Sequence, residues 1–178
     1  MKLIAITKPD FYDGEAAFIK RLFESGFDIV HLRKPNSDID NCRNILNELS
    51  SEERSRIVVH DYPELYYEFS LKGIHINKNI VKYPEGYQGS KTRSCHSLEE
   101  VKLYKGEFDY VFLSPIFDSI SKQGYKSAFT QEELRKASQE GIIDEKVVAL
   151  GGVTYGRISL LKDLGFGGAA MMGGVFIN

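Results

Sequence analysis

The chain alternates short, mostly apolar runs with longer segments in which apolar residues recur every three or four positions. The runs predict strands at residues 3–7, 28–33, 56–60, 72–77, 91–95, 109–114, 146–150 and 167–172. Six or more of them lack polar alternation, which is typical of strands buried on both faces. The spacing between most runs predicts helices. In the first of these helices, Ala16, Ile19, Leu22 and Phe23 share one face. Residues 78–90 contain several helix breakers and are predicted to be irregular.

Capping residues mark several of the predicted helix starts. Ser37 or Asp38 is expected to cap a helix over residues 37–49. The pair Ser97 and Glu100 and the segment 130–133 have the spacing of capping boxes. A short helix is predicted over residues 63–69.

Strand and helix alternate in sequence, and this order predicts a parallel sheet covered by helices. Eight such units favour a closed (β/α)8 barrel, in a single domain over residues 1–178. The alternative is an open flavodoxin-like sheet, which would normally stop at five strands. The chain ends a few residues past the last strand, so the eighth helix is expected to be truncated or missing. Either a tail follows in the full protein or a partner chain covers that edge.

Composition excludes several classes of function. With 178 residues and a formal charge of −2, the chain has no field that would attract nucleic acid or an anionic membrane. It shows no signal peptide and no apolar run of the roughly 20 residues that a membrane span needs. Cys42 and Cys95 form no metal-ligand pattern, and both are expected to be reduced thiols in a cytoplasmic protein.

Two glycine pairs follow the last two predicted strands. Gly151 and Gly152 come after the seventh strand, and Gly173 and Gly174 come after the eighth. Glycine lets backbone amides turn outward and approach an anion closely. Phosphate sites of many (β/α)8 barrels lie at these two turns. Ordinary turn chemistry is the alternative interpretation.

Polar side chains also cluster where strands end, which is where parallel barrels place reactive groups. The candidates after the second, third, fifth and sixth strands are His31, Arg33, His60, Asp61, Ser94, His96, Ser114, Ser119, Ser121 and Lys122. Structural roles remain open for several of them. Asp61 could cap the helix at residue 63, Arg33 and Lys122 could be surface charges, and His31 could be a packed core histidine, as could His75, which lies inside the fourth strand.

The order and spacing of these residues resemble the thiamine phosphate synthase family, and within it the TenI branch of thiazole tautomerases. The resemblance runs nearly end to end through His31-Leu32-Arg33, Val59-His60-Asp61, Gly73-Ile74-His75-Ile76, residues 94–100, Ser114-Pro115-Ile116-Phe117, Lys122, Ala149-Leu150-Gly151-Gly152 and Met172-Gly173-Gly174-Val175-Phe176. It implies a (β/α)8 barrel, commonly dimeric, that acts in thiamin synthesis. The synthase of this family joins an aminomethylpyrimidine diphosphate to a thiazole phosphate and uses Mg²⁺ to steady the leaving diphosphate.

Several departures from the synthase pattern affect the diphosphate and metal sites. The family's lysine is replaced by Pro35, and the asparagine before its first metal-binding aspartate is replaced by His60. No carboxylate occurs in residues 77–80, where the family has a second metal-binding aspartate. Lys34 could replace the lost lysine, but its side chain should face away from that of Arg33. Gly173 replaces a serine of the family's last motif.

These departures favour a metal-independent isomerase that aromatises a thiazole carboxylate phosphate. The resemblance implies that His96 carries the proton, a role that suits an imidazole near neutral pH. The glycine pairs would hold the phosphate, and His31, Arg33, Asp61 and the strand-end residues Ser94, Ser119, Ser121 and Lys122 would bind substrate.

Two alternatives stay open. The first is a thiamine phosphate synthase with Mg²⁺ at Asp61, and the second is a non-catalytic protein that binds thiazole or thiamin phosphate. In each case a small phosphorylated ligand is expected, together with a homodimer and no nucleic-acid or membrane partner. The sequence leaves open whether segments 78–90 and 116–129 close over a ligand.

Overall fold

Eight parallel strands form the sheet in the computed structural model, which describes residues 1–78, 80–118 and 127–172. The strands are β1 (Lys2–Ile6), β2 (Ile29–Leu32), β3 (Ile57–Val59), β4 (Gly73–Ile76), β5 (Ser90–Cys95), β6 (Tyr110–Leu113), β7 (Val147–Ala149) and β8 (Gly168–Met171). They follow one another in sequence order in a closed barrel. The predicted (β/α)8 barrel is therefore confirmed, and the open five-stranded alternative is wrong.

Helices connect most of the strands. They are α1 (Glu15–Glu24), α2 (Ile39–Asn47), α3 (Ser51–Arg54), α4 (Glu64–Phe69), α5 (Leu98–Tyr104), α6 (Gln131–Gln139) and α7 (Ile158–Asp163), with 3₁₀ turns at Lys105–Glu107 and Tyr155–Arg157. The helix predicted over residues 37–49 is present as α2, and the separate helix α3 that follows it was not predicted. The prediction of a missing eighth helix concerns residues 173–178, which lie outside the described ranges.

Side-chain caps begin several helices as their sequences predict. Asp38 caps α2 by accepting from the amide of Asp40 at 2.9 Å. The Thr130 side chain and Glu133 form the predicted capping box at α6. Helix α4 instead begins at Glu64, with Pro63 at the N-cap position and no side-chain cap. The alternative role of Asp61 as a cap is therefore wrong, because α4 begins too far along the chain.

The chain divides into two compact units. One comprises Ala5–Lys91, and the other comprises Met1–Ile4 with Thr92–Asn178. Each unit has its own apolar core. Leu32, Val58 and Ile74 are buried in the first unit, and Val111 and Val148 are buried in the second. The candidate residues are accordingly described unit by unit.

The irregular segment after β4 is tied to that strand by a tyrosine hydroxyl. The amide of Ile74 donates to Tyr87 Oη at 2.7 Å, and this hydroxyl donates to the carbonyl of Ser90 at 2.6 Å. Gly73 makes the close approach possible, because a Cβ there would lie 2.3 Å from the Ser90 oxygen. These contacts fix the strand that carries His75.

Candidate active site

The turn after β7 requires both of its glycines. Gly151 and Gly152 have φ values of 91° and 63°, in the left-handed region that glycine tolerates best. A Cβ on Gly152 would lie 2.3 Å from the carbonyl oxygen of Asp118, and one on Gly151 would lie 2.8 Å from Cα of Pro115. Both backbone conformation and space therefore exclude larger residues from this turn.

Hydrogen bonds from two other residues hold the carbonyl groups of this turn in place. Phe117 donates its amide to the Gly151 carbonyl at 3.1 Å, and Arg157 Nη1 donates to the Gly152 carbonyl at 2.7 Å. The Arg157 guanidinium also lies 4.4 Å from the centroid of the Phe117 ring. Within the described parts of the chain, the amides of Gly151 and Gly152 donate to no other residue. These two amides are therefore the donors that the predicted phosphate site would use.

His96 follows β5 in the same unit and is exposed. Its amide donates to Glu100 Oε2 at 2.6 Å, and its ring Nδ1 lies 3.2 Å from the Ser114 carbonyl and 3.3 Å from Ser114 Oγ. A carbonyl only accepts hydrogen bonds, so the tautomer that bonds the Ser114 carbonyl carries its hydrogen on Nδ1 and a lone pair on Nε2. That nitrogen can take up a proton and return it, as the predicted role of His96 requires.

Three imidazoles meet in the other unit, and we call His31, His60 and His75 the histidine cluster. Nδ1 of His31 lies 2.8 Å from Nε2 of His60. The rings of His60 and His75 are stacked, with centroids 4.1 Å apart. Burial lowers the pKa of both His31 and His60 well below 6.5, and the neighbouring His75 lowers each pKa further. Both rings are therefore neutral at physiological pH.

The side chain of Lys34, just past β2, is held by a buried ion pair. Its ammonium group lies 2.6 Å from both carboxylate oxygens of Glu15, and both side chains are almost fully buried. It also donates to the carbonyls of Lys8 and Asp10, at 3.0 and 2.9 Å. Lys34 is therefore held by the segment before α1 and by the first residue of that helix. No sequence pattern identifies Glu15 as its partner.

Arg33 and Asp61 remain as half-buried charged groups at the ends of β2 and β3. The backbone of Arg33 is fixed by Thr7, whose hydroxyl accepts the Arg33 amide at 3.0 Å. Asp61 Oδ2 accepts the amide of Lys34 at 3.2 Å. One cation and one carboxylate thus stand where the resemblance implies contacts to a polyanionic substrate.

The Mg²⁺ site implied by the synthase alternative requires a second carboxylate. After β4 the structure has Asn77, whose side-chain amide donates to the His60 carbonyl and whose Oδ1 accepts the amide of Ile80 at 3.1 Å. Asp61 thus lacks a carboxylate partner among the described residues of this loop. The donor set does not fit a two-carboxylate Mg²⁺ site.

Of the remaining predicted site residues, the structure describes one. Ser94 lies half-buried in β5. Five predicted residues lie outside the described ranges: Ser119, Ser121, Lys122, Gly173 and Gly174. Their roles stay predictions.

Comparison with known proteins identifies the family. The family model described as thiamine monophosphate synthase matches residues 3–175. The chain belongs to the thiamine monophosphate synthase family. The predicted resemblance is thereby confirmed at the level of the family, while its placement in the TenI branch stays a prediction.

Individual members of the family support this assignment. A thiamine phosphate pyrophosphorylase of known structure from Bacteroides thetaiotaomicron is 43% identical, with a TM-score of 0.90, over 99% of this chain and 85% of that one. A thiamine-phosphate synthase from Halalkalibacterium halodurans is 24% identical over 92% of this chain and 82% of its own length. A Pyrococcus furiosus thiamine phosphate pyrophosphorylase (21% identity, TM-score 0.74, over 96% of this chain and 85% of that one) supports the fold.

A membrane-spanning role finds no support in the helices. Within residues 1–78, 80–118 and 127–172, no helix combines the length and apolar character needed to cross a bilayer.

Proposed function

We propose that this protein is a transferase that makes thiamine phosphate by joining an aminomethylpyrimidine diphosphate to a thiazole phosphate, with release of diphosphate. The observation that carries the proposal is the 43% identity, over 99% of the chain, to a protein named as a thiamine phosphate pyrophosphorylase. The named relatives therefore favour the synthase alternative over the isomerase that the residue departures suggest.

The two backbone donors at Gly151 and Gly152 suit the phosphate of the thiazole substrate, because outward amides bind a monophosphate without a full countercharge. Arg33 suits the diphosphate, because a guanidinium can form two parallel hydrogen bonds with phosphoryl oxygens. Asp61 and Ser94 complete the proposed substrate contacts in the described residues. Lys122, Ser119 and Ser121 are also proposed to bind substrate, as the family resemblance implies.

The isomerase is a second candidate because of the environment of His96. Its Nδ1 is held by Ser114, at 3.2 Å from the carbonyl, which leaves Nε2 to carry a proton. In that reaction His96 would remove a proton at one ring carbon and return one to a nearby exocyclic carbon, and the gain of aromaticity would drive the change. The asparagine at position 77, in place of a carboxylate, also favours a reaction without Mg²⁺.

One set of assays separates these functions. Purified protein is incubated with the pyrimidine diphosphate and thiazole phosphate, with and without Mg²⁺, and separately with the non-aromatic thiazole tautomer. Release of diphosphate together with thiamine phosphate would support the synthase. Aromatisation that His96→Ala abolishes would instead support the isomerase.

A non-catalytic role would give a different result in the same assays. Tight binding of thiazole or thiamin phosphate with turnover of neither substrate set would overturn both enzymatic proposals. We also propose a homodimer, as the family resemblance implies, and a cytoplasmic location, as the two cysteines suggest. Light scattering and cell fractionation would test these two proposals.

A further inference from the structure

The histidine cluster brings together three nitrogen donors from three consecutive strands. His31 lies in β2, His60 directly follows β3, and His75 lies in β4. Val59 pairs with Ile74 in the parallel register of β3 and β4, so His60 and His75 are the next residues along. All three side chains are buried, with relative exposures of 0%, 6% and 2%. Strand geometry therefore fixes their convergence.

We propose that His31, His60 and His75 form a binding site for one divalent transition-metal ion of the zinc class. One ligand nitrogen from each ring lies within 4.8 Å of the others. Three imidazoles with an open fourth position are a common ligand set for zinc. Imidazole also suits cobalt, nickel and copper, whereas Mg²⁺ prefers oxygen ligands. The site is therefore different in chemistry from a carboxylate Mg²⁺ site.

The distance between the ring nitrogens of His31 and His60 must change when a metal ion binds. Tetrahedral ligands at a Zn–N distance of about 2.05 Å are separated by about 3.3 Å. Nδ1 of His31 and Nε2 of His60 are 2.8 Å apart, which is a hydrogen-bond distance. Binding must break this hydrogen bond and move the two nitrogens apart by about 0.5 Å. It must also turn the His60 and His75 rings out of their stacked arrangement, because the lone pairs that bind a metal lie in the ring planes.

Proton balance in this exchange is simple. In the hydrogen bond, one of the two rings donates from a nitrogen that the metal would use as a ligand. That hydrogen moves to the other nitrogen of the same imidazole, so the ring stays neutral and its ligand nitrogen gains a lone pair. Metal binding at the cluster thus requires a change of tautomer and no additional base.

The alternative explanation is that the cluster is only a hydrogen-bonded part of the core. Cobalt binding distinguishes the two, because four- or five-coordinate Co²⁺ with nitrogen ligands absorbs visible light far more strongly than the hexaaqua ion. Protein without a polyhistidine tag is stripped with a chelator, dialysed and titrated with Co²⁺. We expect a visible absorption band that saturates at one equivalent, that Zn²⁺ removes and that excess Mg²⁺ does not change.

Matched variants assign the site. His31→Gln, His60→Asn and His75→Asn keep neutral, hydrogen-bonding side chains, and each should weaken Co²⁺ binding by at least about 100-fold, more than loss of an outer-shell partner costs. His96→Asn removes the one histidine outside the cluster and should bind Co²⁺ as the wild type does. Circular dichroism checks that each variant is folded.

Two results would overturn the proposal. One is a wild-type protein that takes up no stoichiometric Co²⁺ or Zn²⁺, which requires no variant to interpret. The other is a Co²⁺ band that persists unchanged in folded His60→Asn protein. Neither result depends on which reaction the protein catalyses, because the readout is metal binding alone.

Discussion

The two units of the chain use their polar residues in opposite ways. In residues 5–91 two sets of ionisable groups are buried and satisfied by one another, namely the pair of Lys34 with Glu15 and the histidine cluster. In residues 92–172 the candidate groups are open. His96 is exposed, and the Gly151 and Gly152 amides donate to no residue within the described ranges.

This difference separates groups that hold the fold from groups that can exchange a ligand. A buried charge must keep its partner, because an uncompensated ion in a poorly solvated site is costly. An outward backbone amide at a turn is solvated in the free protein and can exchange water for a phosphate oxygen. Substitutions at the buried Lys34–Glu15 pair should therefore change stability most, and those at the β7 turn should also change binding.

The largest effect is expected at the buried ion pair. Lys34→Met leaves the Glu15 carboxylate buried without its cation, and we expect the free energy of unfolding to fall by about 3–5 kcal/mol. Denaturant titration measures this. Burial raises the pKa of Glu15, and the hydrogen bond and charge of Lys34 oppose that rise.

An exposed ion pair in the same unit provides the control. Arg43 bonds Glu68 at 3.0 Å with side-chain exposures of 35% and 40%, so Arg43→Met should cost far less stability than Lys34→Met. The double variant Lys34→Met with Glu15→Leu should recover most of the lost stability. Equal losses in the free energy of unfolding for Lys34→Met and Arg43→Met would contradict the expected difference between buried and exposed ion pairs.

The next largest effect is expected at the β7 turn. Gly152→Ala combines a φ of 63° with a Cβ 2.3 Å from the Asp118 oxygen, so we expect a loss of about 1–3 kcal/mol in stability. Affinity for thiazole phosphate, measured by calorimetry, should fall more than stability alone explains. Gly156→Ala is the matched control, since a Cβ there has nothing within 4 Å. Unchanged phosphate binding in folded Gly152→Ala protein would remove the turn from the binding site.

Acid sensitivity should come from the histidine cluster when no metal is bound. The pKa values of His31 and His60 are lowered in the folded chain, so below pH 6.5 the unfolded chain binds protons that the native chain does not. Stability is therefore fully present above that pH and is lost as pH falls. Each histidine contributes a slope of up to about 1.4 kcal/mol per pH unit.

Denaturant titrations of chelator-treated protein between pH 7.5 and 5 measure this slope. His60→Asn should flatten it, and His96→Asn should leave the contribution of the cluster in place. A wild-type curve that does not change across this range would show that the buried rings accept protons without cost.

The barrel was predictable because each strand is a local signal, a short run of mostly apolar residues read independently of its partners. Helix α3 was missed because Ser51–Arg54 buries no residue and so has no apolar period. Its capping box of Ser50 and Glu53 was present in the sequence and could have revealed it.

Single residues of the candidate site were predictable from their positions at strand ends, but the contacts between them were not. Position after a strand identifies His31, His60 and His96, but no periodicity indicates that two of these side chains meet 2.8 Å apart. Lys34 and its partner Glu15 are 19 residues apart, and Arg157 donates its hydrogen bond to a backbone carbonyl. Such pairings depend on tertiary geometry, for which a single sequence carries no signal.

The smallest expected difference is in the reactivity of the two free cysteines. Both are buried and should react slowly, although they lie in different units. Burial raises the pKa of Cys42 and of Cys95 to about 11, so the thiolate fraction at pH 8 is on the order of one in a thousand. Both thiols should therefore react with a disulfide reagent only through opening of the structure. Cys42 lies on helix α2 and Cys95 on strand β5, and a peripheral helix opens at lower free energy than a central strand, so Cys42 should react first. Cys42→Ala and Cys95→Ala assign the two phases, and two immediate equivalents in the native protein would contradict the burial of both.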